Sequence, residues 1–374
     1  MQNIVAPVES RVANYRIGLV IEWYMGHVTH GQNLERSLRH NPRIEPTWMP
    51  VPFQSDDIWQ KLPGHTLRLS LRARDLVRAA VQKNALDCLF YHTPVTALLS
   101  LGMMQRIPTI LSLDCTPIDL VRMGAAYKYD APNKLFDRLK FEWFRRMYES
   151  AAAIVTMSDW AKNSLVGDYN IASEKVTTIL PGLDLNQWRP TVKEAGKNQP
   201  LKLLFVGGDF ERKGGYVLLE AFRSGLRDRC TLDIVTKDEI VTSAESVRVH
   251  RGLTPNSPLL RQLFADADLF IFPTLGDFIP FVVMEAMASG LPIVATNVGA
   301  MPEQVEYGVT GLLVPPNDPG AIVQAVSSLA NNPDRLVAMG IASRDRAERL
   351  FNGERNYKMV VDLIEQCVDE KRSL

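Results

Sequence analysis

The chain has 374 residues, 46% of them hydrophobic, enough for about two domains with sizeable cores. Basic and acidic side chains balance at 42 each, so no overall field points to nucleic acid as a partner. Cys88, Cys115, Cys230 and Cys367 lie far apart without zinc-type spacing, no run of about eighteen apolar residues is long enough to span a membrane, and the N-terminus lacks an apolar signal core; a reduced cytoplasmic compartment fits.

Residues 16–21 are an apolar run, predicted as the first strand of a parallel sheet. The next residues carry Gly26, His27 and Gly31 and are predicted as a glycine loop into a helix starting near Gln32. Such a loop lies at the carboxyl end of a strand, where open α/β folds bind ligands. A plain strand-to-helix turn is the alternative. Residues 65–83 carry Arg68, Arg72, Arg74, Arg78 and Lys83, with Leu69, Ala73, Leu76 and Ala80 at helical spacing, and predict a basic surface helix. Strands are predicted at 86–91 and 107–113, followed by His92-Thr93-Pro94 and Asp114-Cys115-Thr116-Pro117. Polar residues just past strand ends are candidate ligand contacts.

Residues 128–146 combine Lys128, Lys134, Arg138, Lys140, Arg145 and Arg146 with Phe136, Phe141, Trp143 and Phe144. This composition suits an interfacial helix on an anionic membrane, and equally a helix whose aromatics pack on their own domain. A strand follows at 151–157, then a helix capped by Ser158 or Asp159. Residues 191–200 read as a linker.

The second half opens with a strand at 201–206 and the loop Gly207-Gly208-Asp209-Phe210-Glu211-Arg212-Lys213-Gly214-Gly215. A phosphate-binding P-loop needs glycine directly before the lysine and serine or threonine after it, and this loop has neither. Further strands are predicted at 230–236 and around 247–253. Leu269-Phe270-Ile271-Phe272 reads as a buried strand ended by Pro273 and Thr274. Asp277 then lies in a loop. Pro280 suits the first turn of a helix that carries Glu285 and is closed by Gly290 and Pro292. Two acids beside an amide-rich helix start suit the hydroxyls of a sugar phosphate. A strand at 293–296, a loop with Gly299, a short strand from 311 and helices at 319–330, 333–350 and 351–374 complete the chain.

An acid, seven residues and then Glu285-Ala286-Met287-Ala288-Ser289-Gly290-Leu291-Pro292 resembles the donor-site motif of retaining GT-B glycosyltransferases of family four, the glycosyl transferases group 1. The family's usual pattern is Glu, seven residues, Glu. Here the first acid is Asp277, and Phe278 and Pro280 stand where the family often has glycine. The loop at 207–216 is similar to the family's strand–loop–helix that carries an arginine and a lysine for the donor diphosphate. Lys213 matches the lysine. Gly208 stands at the usual arginine position, and Arg212 could supply the second positive charge. The family's histidine before an aspartate is absent, because Leu113 precedes Asp114. The resemblance covers nearly the whole chain, most closely from 201 to 316.

The resemblance implies an α/β GT-B fold of two Rossmann-like, doubly wound parallel-sheet domains facing across a cleft. Residues 1–190 would form the acceptor-side domain, with a helix at 352–374 crossing back; 191–200 would be the linker and 201–351 the donor domain. It implies a retaining, metal-independent glycosyltransferase moving a sugar from a UDP, GDP or ADP sugar to a hydroxyl of a glycan, glycolipid or small molecule. No cofactor beyond that co-substrate is implied. An anionic membrane surface on the inner face is a further candidate partner. Implied catalytic residues are Lys213, Arg212, Asp277 and Asp114. Implied donor contacts are Gly31, Gly207, Gly208, Leu253, Phe278, Ile279, Pro280, Phe281, Val282, Glu285 and Gly299. Acceptor-side candidates are Gly26, His27, His92 and Thr116. A nucleotide-sugar epimerase of related fold and a non-catalytic scaffold of the same fold are the alternatives.

Overall fold

The computed structural model describes residues 15–23, 26–39, 41–52, 65–127, 134–191, 199–242 and 244–373. Residues 128–133 of the basic aromatic stretch and 192–198 of the expected linker lie outside the described residues.

Among the described residues two six-stranded sheets form. The first contains β1 (Tyr15–Trp23), β2 (Ile44–Pro52), β3 (Cys88–His92), β4 (Thr109–Leu113), β5 (Ala153–Thr156) and β6 (Val176–Thr178), in the order β2-β1-β3-β4-β5-β6. The second contains β7 (Leu201–Val206), β8 (Cys230–Val235), β9 (Val247–His250), β10 (Leu269–Phe272), β11 (Ile293–Thr296) and β12 (Gly311–Val314), in the order β12-β11-β10-β7-β8-β9. β1 runs parallel to β2 and β3, and β10 runs parallel to β7 and β11. The strand order therefore reverses once in each sheet, between β1 and β3 and between β7 and β10. Open α/β sheets bind ligands beyond the carboxyl ends of the strands at such reversals.

By spatial contacts the chain divides into two units: Met1–Leu113, Glu142–Val155 and Tyr357–Leu374 form one, and Asp114–Phe141 and Thr156–Asn356 the other. This partition differs from the boundary near residue 190 drawn on the sequence.

In the first unit β3 and β4 are buried throughout, as parallel strands covered on both faces are. β2 is absent from the sequence reading. Its Pro46, Pro50 and Pro52 hide it there, and its place at the sheet edge is where a strand tolerates missing N–H donors. The helix His65–Lys83 forms as expected, but its buried stripe is Leu69, Ser70, Ala73 and Val77, and Leu76 is 39% exposed. The last helix, Gly353–Arg372, is tied to this unit by Tyr15 donating to Asp369 at 3.0 Å and by the pairs Arg43–Glu365 and Arg372–Asp87.

The helix Lys134–Ser150 packs part of its aromatic face on protein, while Trp143 stays 42% exposed and Leu139 64%. Phe144, Met147 and Tyr148 are buried, Phe141 stacks on Tyr169, and Trp143 donates its indole N–H to the Leu98 carbonyl at 2.9 Å. Phe141, Phe144 and Tyr148 thus follow the packing reading of this stretch, and the exposed part of Trp143 does not.

In the second unit, Leu203, Phe205, Leu232 and Ile271 face Leu218, Phe222, Ile322 and Val326. The opposite face presents Leu204, Phe270, Phe272 and Ile293 to Val283, Met284 and Met287. Successive strand residues thus point into two separate cores, which is what a doubly wound sheet requires.

Candidate active site

The loops after β7 and β10 leave adjacent parallel strands at the reversal of the second sheet, and they are joined to each other. Leu275 donates its backbone N–H to the Arg212 carbonyl at 2.8 Å, and Thr274 donates its hydroxyl to the same carbonyl at 3.2 Å. Gly214 has φ +78, and a Cβ there would run into the Pro273 carbonyl, so only glycine suits this joint. Arg212 donates from Nε to Asp209 at 3.0 Å and from Nη1 to the Gly276 carbonyl at 3.0 Å. The Lys213 ammonium is paired with the Asp277 carboxylate. Burial pushes the Lys213 ammonium below its usual range; Asp277 opposes this and Arg212 adds to it.

Gly207 lies against Phe205 and the Lys213 stem, and its N–H donates to the Val235 carbonyl at 2.9 Å, which takes that amide away from a ligand. Gly208 lies beside the Lys237 stem. Leu253 follows Gly252, whose φ is +71, and packs on the core that Phe270, Phe272, Val283 and Met284 share.

The helix Phe281–Ala288 begins at that loop. Pro280 is its N-cap rather than a first-turn residue, and the amides of Phe281 and Val282 precede the helical ladder. Phe278, Ile279 and Pro280 are buried. Gly290 ends the helix with φ +75, donating to Met287 at 2.9 Å while Leu291 donates to Ala286 at 3.0 Å. Glu285 is 4% exposed, and burial pushes its carboxyl up to about 8. At neutral pH it is therefore an uncharged acid able to donate as well as accept, not the second carboxylate that its residue type suggests. Gly299, with φ +54, lets the Asp277 carbonyl approach where a side chain would stand.

The segment after β4 closes on this loop within the same unit. Ala126 fills the space above Gly276, and Met123 that above Gly299. Tyr127 lies under the Arg212 guanidinium at 4.9 Å and stacks on Phe278, which in turn stacks with Trp160. Burial, with Asp277 and then Asp114 contributing, holds the Tyr127 phenol far above its usual range, so it stays neutral. Asp114 thus lies close enough to Tyr127 for its charge to act there. The Thr116 hydroxyl, expected on the acceptor side, is committed to structure: it is fully buried, caps the helix Pro117–Met123 through a reciprocal pair with Asp119, and bonds Ser164 at 2.7 Å. Glu303 was not expected at the site. It accepts the backbone N–H groups of Asp159 at 2.8 Å and Trp160 at 2.6 Å. Its place in Met301-Pro302-Glu303 carries no sign of a partner so distant in sequence.

The reversal of the first sheet holds a histidine cluster. The helix after β1 begins at Gly26, not near Gln32, so Gly26 and Gly31 belong to Gly26–Leu38 rather than to a loop. Gly31 lets that helix approach Ile21 and Trp23, and its N–H lies within the helical ladder instead of facing a ligand. His27 Nδ1 and His92 Nε2 are 2.9 Å apart, and the His30 ring stacks on His92 at 4.1 Å. Burial, with His27 adding to it, lowers His30 to about 3, and burial holds His92 well below the usual histidine range. His30 Nε2 and His92 Nδ1 are buried without a hydrogen-bond partner among the described residues. Thr93, a β-branched residue at φ 89, donates to Glu22 at 2.7 Å. His27 and His30 share a helix face only once the earlier helix start is known.

Residues 37–187 match the family model described as Glycosyltransferase Family 4, and residues 200–332 match the one described as Glycosyl transferases group 1. The chain belongs to the family 4 glycosyltransferases. This family 4 chain is 26% identical over 250 residues to D-inositol 3-phosphate glycosyltransferase of Corynebacterium kroppenstedtii, covering 60% of the chain and 55% of that protein. It is 28% identical over 211 residues to the amylovoran biosynthesis glycosyltransferase AmsK of Erwinia amylovora, covering 52% and 51%. The chain spans about half the length of the curated relatives it matches. Among solved structures it resembles sucrose-phosphate synthase from Thermosynechococcus elongatus, with TM-score 0.74, 16% identity and coverage of 94% and 98%. It also resembles Anabaena HepE in complex with UDP-glucose, with TM-score 0.69, 14% identity and coverage of 94% and 100%. These likenesses establish the two-domain, Rossmann-like GT-B fold.

Proposed function

We propose that this family 4 chain is a retaining glycosyltransferase that moves a sugar from a nucleoside diphosphate sugar to an acceptor hydroxyl. The observation that carries this reading is the convergence of Arg212, Lys213, Asp277 and the helix start at Phe281 at the carboxyl ends of β7 and β10. Two cations at a partly desolvated helix start are suited to charge building on a leaving diphosphate. They supply that charge from the protein, which makes the reaction metal-independent in this reading.

The roles follow from position. Lys213 and Arg212 meet the diphosphate. Asp277, released from part of its pairing with Lys213 as phosphate arrives, accepts a hydroxyl of the transferred sugar. Neutral Glu285 exchanges hydrogen bonds with the ribose hydroxyls. Asp114 positions the reacting partners. The leaving phosphate takes the acceptor's proton as the new glycosidic bond forms on the face it leaves, so no strong protein base is required. The acceptor is a hydroxyl-bearing small molecule, glycan or glycolipid.

UDP is the first nucleotide to test, because a solved neighbour carries UDP-glucose. Binding to the folded state must raise the melting temperature. We expect one of UDP, GDP or ADP to stabilise the wild type, and Lys213→Ala to abolish the shift. The matching sugar nucleotide with an acceptor panel should give a product of unchanged anomeric configuration by NMR. Full transfer activity in folded Lys213→Ala, or an inverted product, would sink the reading.

A further inference from the structure

Arg212 is held by an aromatic column. Its guanidinium lies 4.9 Å from the Tyr127 ring centroid and 3.3 Å from the Tyr127 hydroxyl. The column continues through Phe278, whose ring is 5.1 Å from Tyr127 and inclined by 18°, to Trp160 at 5.8 Å and 28°. Trp160 is itself fixed through its backbone N–H, which Glu303 accepts at 2.6 Å. The column cannot slide away from Arg212, because Ala126, next to Tyr127, is packed against Gly276 so closely that a Cβ on that glycine would collide with it. Gly276 in turn offers its carbonyl to Arg212.

We propose that Tyr127 is the positioning residue for Arg212, holding its guanidinium where the β-phosphate of a nucleoside diphosphate is received. This rests on the donor-site reading above. A guanidinium has many rotamers, and fixing it before the anion arrives removes that ordering cost from binding. The ring beneath it, together with the bonds from Nε and Nη1, holds the guanidinium in place, leaves Nη2 to turn toward phosphate, and favours the cation at a site with little water. The Asp209 and Gly276 bonds set the other side of the fork. The arrangement also joins two features of the sequence. Gly208 stands where an arginine is usual in the family, and Phe278 where glycine is frequent. Here the cation comes from Arg212, and Phe278 supplies the floor on which its holder Tyr127 rests.

The test is calorimetric binding of UDP, GDP and ADP, with the corresponding monophosphates as controls, to the wild type, Arg212→Ala, Tyr127→Ala, Tyr127→Phe and the Arg212→Ala/Tyr127→Ala double variant. For the diphosphate that binds, Tyr127→Ala should weaken affinity by about tenfold, the scale of a partly desolvated cation–π contact. Tyr127→Phe should stay within about threefold, because the ring remains. The double variant should bind no more weakly than Arg212→Ala alone, and the monophosphate should be little affected. Tyr127→Leu, which keeps apolar contact with Phe278, replaces the alanine variant if that one does not fold. Tyr127 truncation that costs as much in the Arg212→Ala background as in the wild type overturns the positioning role while leaving the donor site standing. Unchanged diphosphate affinity in Arg212→Ala overturns the donor-site assignment of Arg212, and the inference with it.

Discussion

The ammonium of Lys213 is paired with the carboxylate of Asp277, so the cation after β7 and the first acid after β10 neutralise each other in the free chain. Both side chains are largely buried, at 16% and 11% exposure. Removing one partner leaves a poorly solvated charge, whereas removing both leaves none. Lys213→Ala and Asp277→Ala should each lower stability by roughly 2–4 kcal/mol, and the double variant should lose clearly less than their sum. Urea unfolding of the four proteins measures this coupling. In an activity assay Lys213→Ala should lose about a hundredfold or more in turnover, the scale for a group that meets developing charge.

Glu285 gives the donor helix a stability cost that depends on pH. Its carboxyl titrates near 8 in the folded chain against 4.5 for the free group. Below pH 4.5 it is protonated in both states and exacts no penalty. As the pH rises through 4.5 toward 8, the unfolded chain gains from ionising and the native state does not, so stability falls across that window. Glu285→Gln should therefore be more stable than the wild type at pH 8, by a few kcal/mol, and nearly equal to it at pH 4.5. Glu285→Ala, which loses both donor and acceptor, should bind the donor nucleotide more weakly, while Glu285→Gln keeps one of each and should bind nearly as the wild type does. Chemical unfolding at the two pH values, beside nucleotide titration, separates the two effects.

The buried histidines of the first unit act in the opposite direction. His30 titrates near 3 and His92 well below 6.5, so the native state holds both rings neutral. Their contribution is fully present above pH 6.5 and is lost as the pH falls from 6.5 toward 3, where the unfolded chain binds the protons. The groups facing His30 are His27, His92 and the Tyr357 hydroxyl. His30→Phe keeps the stack on His92 and removes one titrating ring. It should move the acid-unfolding midpoint, followed by circular dichroism, to lower pH, and an unchanged or higher midpoint would count against the cluster as the acid-sensitive element.

Glu303 closes the start of the helix Asp159–Gly167 with two hydrogen bonds from Asp159 and Trp160, alongside the Ser158 side chain that accepts from Ala161. Burial raises the Glu303 carboxyl above its usual range, and the two backbone donors partly offset that. Glu303→Ala should cost about 1–2 kcal/mol, as losing a helix cap does, and Glu303→Gln should recover about half, because its amide oxygen still accepts. Thermal unfolding of the two variants checks this order.

Much of the second half was legible in residue order because its signals are local. The strands at 201–206 and 293–296 and the helices at 319–330 and 333–350 fall where they are expected from the sequence, and the structure adds Asp318 and Asn332 as the caps of the two helices. The first half was harder to read. Three prolines obscured β2, and Gly26 and Gly31 resembled a loop although both lie in a helix, because glycine also serves where a helix must come close to a strand. Thr116 had the polar character of a ligand contact, but its hydroxyl is committed to Asp119 and Ser164.

The amino-acid sequence by itself determined the class of fold, the two acids spaced around a helix start, and the Arg212-Lys213 pair, since each depends on residues a few positions apart. Tertiary structure alone decided that Lys213 meets Asp277, that Glu285 is a neutral acid, that Glu303 caps a distant helix and that Tyr127 lies beneath Arg212. Those four facts depend on burial and on partners far apart along the chain, and neither property is carried by local sequence.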